Sequence, residues 1–194
     1  MRSMKWLVVC TLVIVAGCSS KNKEIARIIE SPIEYHSHLS PYADMSRYHT
    51  WNWLSPLVDS TSVEKEQLEK GMRDAIESAV EFRMKDRGYE RDISSPDLVV
   101  NYHVASKDID ADYMRKMYDG KYDPKYRQNF DGPRRARDTW TEGSIILFAF
   151  DASSGDLVWR SSAKAEVTGE APLDERVKRV DSAIKMMFTS LPGK

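Results

Sequence analysis

Two stretches of this chain repeat one apolar spacing. Leu68, Met72, Ala75, Ala79 and Phe82 recur at i, i+4, i+7, i+11 and i+14, and so do Leu173, Val177, Val180, Ile184 and Met187. Each set lies on one face of a helix. Ile76 and Val80 widen the first stripe. Thr61 with Glu64 fits a capping box that opens the first helix, and Gly88 suits a left-handed cap that closes it. Gly71 inside that helix costs up to ~1 kcal/mol relative to alanine, which points to close packing there. Pro172 suits the first position of the last helix, and Pro192 is expected to end it. Two helices with one apolar face each need a common apolar surface to cover.

Alternating segments supply that surface. In Tyr48–Trp53, His49, Trp51 and Trp53 fall on one side, and in Asp97–Val104, Leu98, Val100, Tyr102 and Val104 do. Leu157–Val167 alternates as well, with Leu157, Trp159, Ser161, Ala163, Ala165 and Val167 inward and Arg160, Ser162, Lys164 and Glu166 outward. Trp140–Phe150 reads as one strand, apolar on both faces after Ser144. Asp151–Asp156, rich in turn formers, joins the last two strands as a hairpin. A solvated outer face predicts an α+β domain of two layers. The expected fold is a mostly antiparallel sheet of about four to five strands with two amphipathic helices on one face.

The chain begins with Arg2 and Lys5 before an apolar run, Trp6–Val15, which is too short to span a bilayer. Small residues and a cysteine follow, Val15-Ala16-Gly17-Cys18. This order is that of a secretory signal ending in a bacterial lipobox. Residues 1–17 are expected to leave as a signal peptide cut between Gly17 and Cys18, with Cys18 lipidated. Three acyl chains would anchor the protein stably, since two already do. Cys10 departs with the leader, so the mature chain keeps neither free thiol nor disulfide, and stability falls to packing. Residues 18–32 read as a tether with a reach of about 20 Å. The rest, 33–194, reads as one domain. A small net negative charge gives no argument for nucleic acid.

Four stretches in this order resemble a family: Tyr48–Trp53, Ser95–Tyr102, Thr141–Ile146 and Asp151–Ala163. The chain is similar to bacterial envelope lipoproteins of the domain of unknown function family DUF4136 over about residues 30–192. The resemblance implies a fold and an envelope location, with the outer membrane favoured because Ser19 follows the cysteine in place of an aspartate. It implies no activity. Such proteins often carry a Gly/Tyr-rich loop between the second and third stretches; here residues 106–137 are highly charged.

That segment shows no clear periodicity and reads as an inserted loop, either a partner-binding flap or a solvated cover for the sheet. Tyr113, Tyr118, Tyr122, Tyr126, Arg134, Arg135 and Arg137 are its candidate binding residues, because Tyr and Arg dominate interface hot spots and Arg pairs with phosphate and carboxylate. The expected partner is an envelope protein, a glycan or a lipid. Replacing Asp108–Pro133 with a short link is expected to leave the fold intact, unless loop aromatics cover outer-face residues near Ile145, Leu147 and Phe148. His36, His38 and His49 are weak metal candidates without acidic or cysteine ligands at a recognisable spacing. Asp108, Asp110 and Asp112 lack the glycine and closing glutamate of a calcium loop. No catalytic motif and no cofactor signature appears. A non-catalytic envelope module is therefore expected, with a periplasmic, hydrolase-like enzyme as the alternative.

Overall fold

The computed structural model describes residues 23, 32–55, 70–105, 109–119, 121–127, 139–140, 143–164 and 171–194. One open sheet organises them. Its strands are β1 (Glu34–Leu39), β2 (Thr50–Trp53), β3 (Glu90–Arg91), β4 (Leu98–Val104), β7 (Ser144–Asp151) and β8 (Leu157–Lys164), in the order β1-β8-β7-β4-β2-β3. The expected four to five strands are six. The β1–β8, β8–β7 and β7–β4 pairs are antiparallel, whereas β2 runs parallel to both β4 and β3. The segment expected as one strand over 140–150 divides at Gly143, which has φ of +82°. Thr139–Trp140 (β6) pairs instead with Ile109–Asp110 (β5) in a separate two-stranded ribbon.

Among the described residues four α-helices accompany the sheet: α1 (Lys70–Asp86), α2 (Ala111–Tyr118), α3 (Pro124–Arg127) and α4 (Leu173–Met187). Helices α1 and α4 cover one face, as expected. Their buried residues are Met72, Ile76, Ala79, Val80 and Met84, and Val180, Ala183, Ile184 and Met187. The α1 stripe is thus rotated toward Ile76, Val80 and Met84, and Phe82 is left 58% exposed. The Arg83 guanidinium lies 4.9 Å from the Phe82 ring centroid. Pro172 is the residue before α4 rather than its first turn, and the helix ends at Met187, ahead of Pro192. Gly88 closes α1 with φ of +83°. The Tyr89 N–H donates to the Met84 carbonyl at 3.0 Å and the Gly88 N–H to that of Lys85 at 2.9 Å, a Schellman pair. A β-carbon on Gly71 would stand 2.9 Å from Leu173 Cδ2, so the two helix starts approach closely there, although a shift of that half-exposed leucine end would admit a larger residue. The Thr61–Glu64 box lies outside the described residues.

Between sheet and helices lies a first core, with Trp51, Tyr102, Leu147 and Trp159 at its centre. A buried aromatic removes roughly 200 Å² from water, or about 5 kcal/mol of gross driving force at ~25 cal/mol per Å². A core of this kind needs no disulfide.

The opposite face departs from the two-layer expectation. Its β1–β8 side is solvated beyond Leu157, and the edge strand β3 is exposed as well. Over β4 and β7 it carries a second core of Val99, Ile146, Phe148, Phe150 and Leu157, and α2 and α3 close it with Met114, Tyr118, Tyr122 and Tyr126. At its centre the domain therefore has three layers. Ile145 and Leu147 point to the first core and Phe148 to the second, as alternation requires. Leu157, expected beside Trp159, lies across the sheet from it. Ala149 faces Trp159 while Phe150 faces Leu157, so Val158 is an extra residue that reverses the alternation.

The segment over 106–137 is thus a structural layer where it is described. Replacing Asp108–Pro133 with a short Gly/Ser link will abolish the cooperative thermal transition or cause aggregation. Tyr118→Ala alone will cost about 3–5 kcal/mol in denaturant unfolding. A parent-like transition in both variants would refute the second core.

Candidate functional site

Asp110 starts α2 by capping it: its carboxylate accepts the Tyr113 N–H at 2.9 Å. Asp112 pairs with Arg115 at 3.0 Å on the same helix. Both acids of the Asp108-Asp110-Asp112 run that are described here therefore serve the helix. Met114 and Tyr118, one turn apart, point down onto the sheet, and Tyr122 and Tyr126 follow at the same spacing. The Tyr118 and Tyr122 rings stand 4.7 Å apart. Asn101, on β4 in the middle of an apolar run, donates from Nδ2 to the Tyr118 hydroxyl at 3.1 Å and the Tyr122 hydroxyl at 3.4 Å. Burial pushes both hydroxyls above the usual tyrosine range, that of Tyr118 the further. Tyr118 has no exposed surface, and Tyr122 and Tyr126 are buried too. A hot-spot residue must be accessible before the partner arrives, so these three tyrosines are core residues and not a contact patch. Tyr113 is half-buried against them. Arg134, Arg135 and Arg137 lie outside the described residues.

The histidines do not converge. His36 and His38 are exposed on β1, one edge of the sheet. His49 is exposed just before β2, four strands away in the sheet order and so about 19 Å distant. One ion cannot reach all three at bonding distance. Among the described residues no group of three metal-ligating side chains gathers.

Two carboxylates carry more local structure than the sequence suggests. Asp97, just before β4, accepts the His49 N–H at 2.7 Å and the Thr50 N–H at 2.9 Å, while its own N–H donates to the Thr50 hydroxyl at 3.0 Å. Burial works against its charge, but these donors outweigh it and hold the carboxyl below its usual range. Asp151, at the end of β7, accepts the Tyr48 hydroxyl at 3.1 Å, the Ser153 hydroxyl at 2.6 Å, and the Ser153 and Ser154 N–H groups at 2.8 and 2.9 Å. Its carboxyl is likewise held low despite burial. Tyr48 is pushed up to about 12, by burial first and by the Asp151 charge second. The sequence signal for both acids was present, in Ser95-Pro96-Asp97 ahead of a strand and in the turn-rich Asp151–Asp156.

Asp151 also lines a polar cleft of ≈ 390 Å³ with Ser40, Arg47, Tyr48, Ser153 and Asp156. Three of these donors are on Oδ1 and only Tyr48 is on Oδ2, and a carboxyl held low is a weak base near neutral pH. A second cleft of ≈ 480 Å³ lies between the end of α1 and β3, lined by Trp51, Glu81, Lys85, Gly88, Tyr89, Glu90 and Arg91. Two of its charges are matched to each other. Glu81 Oε1 accepts from Arg91 at 2.8 Å and from the Trp53 indole N–H at 3.2 Å. Arg91 stands 5.9 Å from the Trp51 ring centroid. Both clefts can hold a small polar molecule. In the first, the hydroxyl–carboxylate contacts, Ser153 to Asp151 at 2.6 Å and Ser154 to Asp156 at 2.8 Å, each join residues two apart in one turn.

Residues 35–193 match the family model described as domain of unknown function (DUF4136). Among solved structures, a DUF4136 family protein from Bacteroides thetaiotaomicron is similar at 18% identity and a TM-score of 0.54, over 82% of this chain and 96% of that one. A PDZ domain protein from Parabacteroides distasonis matches at 13% identity and a TM-score of 0.47, over 84% of this chain and 37% of that one. A PelC dodecamer from Paraburkholderia phytofirmans matches at 10% identity and a TM-score of 0.42, over 84% of this chain and 100% of that chain. No curated protein matches this chain.

Removing the Asp97 carboxylate strands two backbone donors. Asp97→Ala should lower stability by about 2 kcal/mol in urea unfolding. The wild-type contribution is present above the unfolded aspartate value, about pH 4, and is lost as pH falls through the depressed folded value. Asp97→Ala should lose less stability than wild type between pH 5 and pH 2 on a scale of ~1 unit steps. Parallel acid profiles for the two proteins would contradict this role.

Proposed function

Because this chain belongs to the DUF4136 family, we propose that its domain is a lipid-anchored, periplasm-facing module of the bacterial envelope that binds a partner without catalysis. The observation that carries the anchoring is Val15-Ala16-Gly17-Cys18 at the end of a charged and then apolar leader. These residues lie outside the described ones, and the support is their order. The lipid on Cys18 is the proposed membrane contact, and the outer membrane is the proposed location because Ser19 follows. Among the described residues no helix is long and apolar enough to cross a membrane.

The non-catalytic reading draws support from how the reactive groups are used. Asp97 and Asp151 are occupied by neighbouring donors, and Tyr118, Tyr122 and Tyr126 are consumed in a core. The residues left for partner contact in the inserted segment are Arg134, Arg135 and Arg137, whose guanidinium groups suit phosphate or carboxylate on an envelope protein, glycan or lipid. A hydrolase-like activity would have to use the polar cleft beside Asp151.

Cys18→Ala should abolish labelling of the full-length chain by a fatty-acid analogue and move the protein to the soluble fraction. Continued labelling would overturn the anchor. On a density gradient the wild-type protein should travel with outer-membrane markers; co-migration with the inner membrane would overturn the location.

A further inference from the structure

Among the described residues the six-stranded sheet ends on β1, with no strand paired to its outer edge. Glu34, Tyr35, His36, Ser37 and His38 are exposed, and Leu39 is half-buried. Native edge strands are usually short, charged, interrupted by proline or covered. β1 has six residues, no proline and a single carboxylate. Its hydrogen-bonding direction follows from its register on β8. Leu39 faces Trp159, and the next residue, Ser40, donates its N–H to the Val158 carbonyl at 2.8 Å. Hydrogen-bonded and non-bonded pairs alternate along an antiparallel ladder. Residues 34, 36, 38 and 40 therefore aim their backbone groups at β8. Tyr35, Ser37 and Leu39 aim theirs outward, where the sheet has no further strand among the described residues.

We propose that this edge pairs antiparallel with β1 of a second copy of the chain, about a two-fold axis between the two Ser37 residues. The pairing joins two six-stranded sheets into one. The choice of a second copy rests on self-complementarity. A symmetric ladder needs outward-facing residues opposite each other, and Ser37 lies at the centre of the outward trio. Placing it against itself sets Tyr35 of each copy opposite Leu39 of the other. Tyr35 is 41% exposed, and Leu39 already packs against the first core, so the pairing covers an exposed aromatic ring with an apolar neighbour. On the other face of the strand, each Glu34 falls diagonal to His38 of the second copy, which lies beside Arg160 in the β1–β8 register. The carboxylate end of one edge thus meets the basic end of the other. This surface is separate from the anchor and from the inserted segment.

The test is made on the full-length chain. Facing residues of a bonded antiparallel pair have Cα atoms about 5.5 Å apart, within disulfide reach. Ser37→Cys should give a disulfide-linked dimer under mild oxidation, above any background from Cys10 and Cys18 in the unsubstituted chain. Tyr35→Cys should not, because its counterpart lies four residues along the strand, about 13 Å away. Failure of Ser37→Cys to crosslink, or equal crosslinking by both variants, overturns the proposal. So does capture by Ser37→Cys of a different protein in place of a second copy. Ser37→Pro removes an outward N–H, which an edge strand tolerates, together with the Ser37 hydroxyl that contacts Ser190 Oγ and the Arg160 carbonyl. It should halve the sedimenting mass while keeping a cooperative thermal transition, and a Ser37→Pro protein that stays dimeric also overturns the proposal. If that variant fails to fold, the two cysteine variants decide.

Discussion

The antiparallel pairing of β4 with β7 is the constraint on which the rest of this domain depends. It runs from Leu98 opposite Asp151 to Val104 opposite Ile145. Almost every residue in it is buried, on both faces. Leu98, Val100, Tyr102, Ile145, Leu147 and Ala149 face one core, and Val99, Ile146, Phe148 and Phe150 face the other. A strand pair apolar on both sides must be covered on both sides. Helices α1 and α4 cover the first face, and α2 with α3 the second. Asn101 is one of the pair's buried polar residues, with His103, Ser144 and Asp151, and its amide donates to the Tyr118 and Tyr122 hydroxyls of the covering layer.

One end of this central pair also fixes the least local part of the topology. Leu98 lies opposite Asp151, so Asp97 and Asp151 stand at the same end, joined by the Ala152 N–H to the Asp97 carbonyl at 2.9 Å. Between them they hold three consecutive residues: Tyr48 by its hydroxyl, His49 and Thr50 by their backbone N–H groups. Those residues lead into β2, which must lie parallel to β4. Parallel pairing cannot be closed by a tight turn and requires a long crossover, here through α1. Two charged acceptors at the point of entry set the register of that crossover. Their use in architecture explains why a low-pKa carboxylate beside a cleft, as Asp151 is, is poor evidence of catalysis.

Much of this was legible in the residues. The apolar strand runs mark β4, β7 and β8, Gly88 marks the end of α1, and Gly71 marks a close helix contact. The second core was not legible as such. Met114, Tyr118, Tyr122 and Tyr126 are one helical turn apart, but Lys, Arg and Asp fill the positions between, and α2 is only eight residues long. A helix that short is held by tertiary contact rather than by its own propensity. The clue lay across the sheet, in a strand apolar on both faces after Ser144, which leaves Ile146, Phe148 and Phe150 in need of a cover. Leu157 was misplaced because a bulge cannot be read from alternation. The rotation of α1 away from Phe82 follows from packing against α4, which no single helix encodes.

For function, the consequence is a shift of attention. The tyrosines that look like a recognition patch hold the fold, and the open features of the described residues are the two clefts and the β1 edge. The central claim is that α2 belongs to the same cooperative unit as β4 and β7. Native-state hydrogen exchange of the intact chain tests it directly. The account predicts that the amides of residues 115–118 in α2 open with the same free energy and the same denaturant dependence as those of Val100, Tyr102, Leu147 and Phe148. Exchange of the α2 amides through a small local opening, with β4 and β7 still protected, would contradict it.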